Sequence, residues 1–80
     1  MKNNYIKLNE GSIIQIDDIL RVSKPKITRD HEYYCDMRIV WANKCVEIIK
    51  YYTLEVAESD YNMLTDILLT QSENNSLICD

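Results

Sequence analysis

From Tyr33 to Trp41 the chain keeps a strict period of two, with Tyr33, Cys35, Met37, Ile39 and Trp41 on one side and Tyr34, Asp36, Arg38 and Val40 on the other. Successive side chains of a strand point to opposite faces, so this run reads as a long, half-buried β-strand. At Thr53 the period changes. Leu54, Ala57, Tyr61, Leu64 and Leu68 fall on one helical face, flanked by Met63 and Ile67. These two periods in this order commit the chain to a sheet whose apolar side is covered by the helix that follows it.

The remaining runs supply further strands. Tyr5-Ile6-Lys7-Leu8 and Ile13-Ile14-Gln15-Ile16 flank the single glycine, Gly11, which reads as a hairpin turn. The alternation slips at the adjacent carboxylates Asp17 and Asp18, where a bend or bulge is expected, and resumes over Ile19-Leu20-Arg21-Val22. Pro25, the one proline, removes a ladder donor and suits a strand edge or a loop. Cys45 to Tyr52 is β-branched and aromatic, and pairs with the long strand across the polar break Ala42-Asn43-Lys44.

The expected fold is α+β: an antiparallel β-meander of four to five strands followed by one C-terminal amphipathic helix packed on one face. Residues 1–70 form the domain, with the helix over Thr53–Thr70 capped by the Thr53 hydroxyl. Residues 71–80 read as a polar C-terminal tail, in which Leu77-Ile78-Cys79 is an apolar patch that docks or stays exposed. One helix covers only one side of a sheet. Tyr34, Val40, Tyr52 and part of the Ile48-Ile49 pair are therefore expected on an open face, apolar enough to serve as an interface.

At 80 residues the core is thin, because a chain this short buries only about 60% of the surface it exposes when unfolded. Self-association is a natural remedy, and a homo-oligomer is expected. A hydrophobic fraction of 46% excludes a disordered chain. Cys35, Cys45 and Cys79 form an odd set with no Cys-x-x-Cys spacing, so they read as reduced thiols. No apolar run approaches the about 20 residues that span a bilayer, and no signal-peptide core follows the start. The expected location is the cytoplasm, with no membrane partner.

Catalysis finds little support. His31 is the single histidine, and Gly11 alone makes no phosphate loop. Asp17 and Asp18 read as turn residues, Asp30-His31-Glu32 as a solvated loop, and neither a metal nor another cofactor is expected. Charge is the more informative feature: residues 1–52 hold nine Lys and Arg against seven acids, a local +2, while residues 53–80 hold six acids and no cation, a local −6. Such asymmetry suggests a partner for each end.

Arg21, Lys24, Lys26 and Arg29 cluster around Pro25, with Tyr33 and Tyr34 just beyond. Cations neutralise phosphates and aromatic faces stack on bases, so this is a candidate anion or nucleotide site, or simply a solvated loop. Four cations are too few for duplex DNA, which is not expected as a partner. On the helix, Glu55, Glu58 and Asp66 form a candidate partner-binding row that can imitate phosphates, or the solvent face of any amphipathic helix.

The strand ending in Asn9-Glu10-Gly11-Ser12, the run Ile13-Ile14-Gln15-Ile16-Asp17-Asp18-Ile19, and the helix opening after Tyr51-Tyr52-Thr53 resemble small proteins of phages and mobile elements in AT-rich Gram-positive bacteria. The resemblance spans about residues 5–70 and assigns no site residue. It implies a non-enzymatic, anti-CRISPR-like anti-defence role in the host cytoplasm, by binding a host immune protein or another immune component. The alternatives are an oligomeric sponge for a nucleotide immune signal and a phage accessory or structural assembly protein.

Overall fold

The structure, a computed structural model, describes the backbone of residues 4–79 and the side chains of residues 4–70. Six strands precede one helix: β1 (Tyr5–Lys7), β2 (Ile13–Gln15), β3 (Ile19–Val22), β4 (Lys26–Asp30), β5 (Tyr33–Trp41), β6 (Val46–Tyr51) and α1 (Leu54–Cys79). All pairings are antiparallel, and the fold is α+β, with the helix packed against the sheet.

β1 and β2 form a separate two-stranded hairpin in the register Tyr5–Gln15, Ile6–Ile14 and Lys7–Ile13. Its turn closes through Gly11 N–H to the Leu8 carbonyl at 2.9 Å, and Gly11 sits at φ 118°, where a side chain would be strained. At the other end the Asp17 carboxylate accepts from the backbone N–H and side-chain amide of Asn4, at 3.0 and 2.9 Å. These bonds hold the Asp17 carboxyl below its ordinary pKa and give it the turn role its sequence position suggests.

The second sheet is organised by β5, which has three partners. β6 lies along one edge. β3 and β4 share the other: Ile19 faces Trp41 and Val22 faces Ile39, whereas Lys26 faces Asp36 and Asp30 faces Tyr33. The two short strands are therefore halves of one long strand, interrupted near Pro25 and slipped in register at Ile19/Arg21 and Ile27/Asp30. Between the halves Ser23 N–H still donates to the Arg38 carbonyl at 2.9 Å. In the sequence Lys26–Asp30 reads as loop, which is why four to five strands are expected there and six are found.

Cys35, Met37 and Ile39 point inward from β5 and are fully buried with Ile49, Tyr51, Ala57 and Leu64, while Leu8, Ile14 and Ile16 bring the hairpin into the same core. Burying a side chain such as Met37 or Ile39 stabilises by about 1.5–3 kcal/mol. The helix begins where expected, with Val56 N–H donating to Thr53 Oγ1 at 3.3 Å. It runs to Cys79 rather than ending at Thr70, so the backbone of the expected polar tail is helical over residues 71–79. The side chains of Leu77-Ile78-Cys79 lie outside the described residues, so the docking of that patch does too. Among the described residues no helix is long and apolar enough to cross a membrane.

Candidate binding face

The helix and the hairpin take the inner side of the second sheet, and the outer side has a distinct chemistry. Register assigns its residues: Arg21 opposite Val40, Lys26 opposite Asp36, and Asp36 opposite Lys50 on its other flank, with Val46 and Ile48 opposite Val40 and Arg38. Alternation along β5 and β6 adds Tyr34 and Tyr52. Lys26 and Lys50 thus flank the Asp36 carboxylate, Arg38 lies one same-face step along β5, and Arg21 lies further along the sheet opposite Val40. The acidic helix lies against the opposite side, so the charge asymmetry read along the sequence is, in three dimensions, a difference between the two faces of one sheet.

Aromatic groups gather at one end of this face. Tyr33 and Tyr52 stack with centroids 5.0 Å apart and rings 23° from parallel. Lys50 Nζ lies 5.6 Å from the Tyr33 centroid and 3.5 Å from Asp30 Oδ2, and the Arg29 guanidinium lies 6.0 Å from the Tyr34 centroid. Cations over ring faces are attracted by the ring quadrupole. The Tyr52 phenol is held above its ordinary pKa, first by its hydrogen bond with Tyr33 and then by the charges of Tyr33 and Glu32. Alternation alone places Tyr33 with Cys35 on the inward face. The register slip at the end of β4 and the left-handed backbone of Arg29 and His31 (φ 51° and 55°) accompany its engagement with Tyr52 and Lys50 instead.

Asp36 is the anomaly of the face. Its residue is only 8% exposed, and Oδ1 is shut off from solvent with no hydrogen-bond partner. A buried acceptor without a donor costs about 1–3 kcal/mol. Beside this end of the sheet, a concavity of about 710 Å³ opens along β6, between the β1–β2 turn and the start of the helix, lined among others by Glu10, Tyr33, Ile48, Lys50, Tyr52 and Val56. That volume is within the range of small-molecule sites.

The structure divides the candidate anion set. Lys26, Arg29, Tyr33 and Tyr34 gather at the aromatic end, while Arg21 sits about 13 Å from Lys26 along the sheet, since their β5 partners Val40 and Asp36 lie four residues apart and each advances about 3.3 Å. Lys24 is exposed in the break beside Pro25. Tyr52, expected on the open face, joins them, and Lys50, Asp36 and Arg38 complete the cluster; sequence reasoning missed these last three as site residues. Their signal is present in the period of β5 and β6, but only the register sets them beside Lys26. On the helix, Glu55, Glu58 and Asp66 are all exposed. Spaced three and eight residues apart, they share one helical face about 16 Å long. Asp60, counted with them in the charge sum, is instead fully buried.

His31 Nε2 lies 3.5 Å from Asp30 Oδ1 on a turn where its side chain is 91% exposed. Among the described residues, no three of His, Cys, Asp and Glu lie close enough to hold a metal ion. Compared with protein-family models, curated proteins and solved structures, the chain matches none.

Proposed function

We propose that this protein works by stoichiometric binding rather than catalysis, as an anti-defence protein that captures a component of a bacterial immune system. The anti-defence setting rests on the resemblance to small phage proteins. The capturing surface is the outer sheet face, and one observation carries this choice: β6 and the residue that follows it present Val46, Ile48 and Tyr52 at 56%, 47% and 66% exposure beside the cations and tyrosines, on a side that no other element among the described residues covers. Exposed apolar residues clustered within a polar rim mark interaction sites.

A second reading places the working surface on the helix. It is favoured by the exposed alignment of Glu55, Glu58 and Asp66, a row of carboxylates suited to a cation-lined nucleic-acid channel. A third, self-assembly as an accessory phage protein, draws on the same exposed β6. The test is phage plating on a host with an active immune system, expressing wild type, Ile48→Asp with Tyr52→Asp, or Glu55→Lys with Glu58→Lys and Asp66→Lys. Loss of rescue in the first variant and retention in the second supports the outer face. The opposite pattern moves the function to the helix, and no rescue by wild type against any system tried overturns the anti-defence reading.

A further inference from the structure

We propose that the aromatic end of the outer face is a nucleotide site, in which Tyr52 stacks on a purine base, Asp36 accepts from the N–H groups on that base's edge, and Lys50 holds the phosphate. This names the ligand class for the face assigned above and rests on that assignment.

Three independent features converge. Tyr52 keeps 66% of its surface exposed although Tyr33 covers one side of its ring, so the other side is open to a second aromatic partner. Stacking a base on an aromatic side chain is sequence-tolerant and needs no further geometry. Asp36 sits diagonally across from Tyr52, because its cross-strand partner is Lys50, two residues before Tyr52. That diagonal is about 7–8 Å, the reach of a purine lying on the tyrosine with its amino edge turned toward β5.

The orphaned carboxylate defines what that edge must offer. Asp36 Oδ1 has no donor within the protein, and the two lysines directly across from Asp36 form no ion pair with it. A ligand that supplies N–H donors satisfies it once the side chain turns outward from its closed position, and guanine presents a ring N–H and an exocyclic amine side by side, suited to both oxygens of one carboxylate. Lys50, on the Tyr52 side of Asp36, supplies positive charge for a phosphate, while Arg29 beside Tyr34 adds a second cation-to-ring contact at the rim. The adjoining concavity of about 710 Å³ has room for the sugar.

The test is titration of the purified full chain with GMP, AMP, UMP and inorganic phosphate, followed by calorimetry and amide chemical shifts. GMP is expected to bind saturably with shifts centred on Tyr34, Asp36, Lys50 and Tyr52, more tightly than AMP, and phosphate alone at least tenfold more weakly. Tyr52→Ala and Lys50→Ala, both at exposed positions, should each weaken GMP tenfold or more, and Asp36→Asn should erase the preference for GMP over AMP. No saturable binding at millimolar nucleotide overturns the proposal. Phosphate binding as tightly as GMP also overturns it, and so does a Tyr52→Ala variant that binds unchanged. If nucleotides fail to bind while phage rescue still depends on Ile48 and Tyr52, the outer face remains the working surface and its ligand is a protein.

Discussion

The Tyr51 hydroxyl donates to Asp60 Oδ2 at 2.9 Å inside the core, joining the last strand to the second turn of the helix. The same carboxylate accepts from the backbone N–H groups of Asn9 at 2.8 Å and Glu10 at 3.4 Å, in the β1–β2 turn. Nearby, the Asn9 amide donates to Ser59 Oγ at 3.0 Å. One buried acid therefore ties three separate parts of the chain together, and the turn amides it satisfies have no ladder partner of their own. Asp60→Ala should destabilise by about 3 kcal/mol or more, since it strands several donors at once, whereas Tyr51→Phe should cost about 1–2 kcal/mol. In urea titrations the pair should be non-additive, with Tyr51→Phe costing less in the Asp60→Ala background. Simple additivity would show that the two side chains are not coupled.

The same bond makes the fold sensitive to alkali. Burial, then the hydrogen bond and charge of Asp60, raise the Tyr51 phenol far above its ordinary pKa of 10.0. The unfolded chain loses that proton near pH 10 and the folded one does not, so the stabilisation is complete below pH 10 and is lost progressively above it. Thermal unfolding should show wild type losing stability between pH 10 and 11 more steeply than Tyr51→Phe. Parallel curves for the two proteins would contradict this.

The described cysteines should differ sharply in reactivity. Cys35 is fully buried, its Sγ 3.6 Å from the Thr53 carbonyl, and burial followed by the charges of Asp36 and Glu58 pushes its thiol above the ordinary value. Cys45 is free and exposed in the β5–β6 turn. Alkylation at pH 8 followed by peptide mapping should label Cys45 at least tenfold faster than Cys35, because the thiolate is the reacting form and needs access. Equal rates would mean that the core around Met37 opens readily. Reductant should leave the melting temperature unchanged.

β6 should mediate self-association. The opposite edge of the sheet is interrupted at Pro25 and slipped in register, devices that block edge pairing, whereas β6 pairs with β5 in an unbroken register from Val46 to Tyr51. Trp41 N–H donates to the Cys45 carbonyl, so antiparallel alternation turns the backbone groups of Val46, Ile48 and Lys50 toward the free edge. Sedimentation at concentrations on the order of tens of micromolar should show a dimer, and Ile48→Lys should shift it to monomer. A monomeric wild type at those concentrations would refute this.

Much of the fold is legible in the sequence because its signals are local. Period two in Tyr33–Trp41, the Gly11 turn, the Thr53 cap and the helical stripe from Leu54 to Leu68 each fix their own element, and each appears in place. β4 is not legible: Lys26-Ile27-Thr28-Arg29-Asp30 is exposed along its whole length and follows a proline, so it has no buried face to imprint a period. Asp60 is equally hidden, since an acid on a helix reads as solvent-facing unless its three donors, some 50 residues and 9 residues away, are known. Of the site, the cations and Tyr33 and Tyr34 are visible as a cluster in sequence. Tyr52 is legible as an open-face residue, whereas Lys50 and Asp36 join them only through strand register, which no single segment encodes.

Asp36 lies where stability and binding should oppose each other. Its orphaned oxygen costs about 1–3 kcal/mol, while attraction to Lys26 and Lys50 across the strands returns about 0.2–1 kcal/mol each. The cost exceeds the return, and a β-branched residue also suits the central strand better than aspartate does. Asp36→Val should therefore stabilise the protein by about 1 kcal/mol in urea titrations, against the usual trend for substitutions at buried positions. Nucleotide binding by the same variant should fall at least tenfold, because the acceptor for the base edge is gone. A residue retained at a cost to the fold, at the centre of an open face, is the pattern a binding site leaves. If Asp36→Val instead destabilises by more than about 1 kcal/mol, the flanking lysines hold the carboxylate as a structural charge, and the stability argument for a site at this position fails.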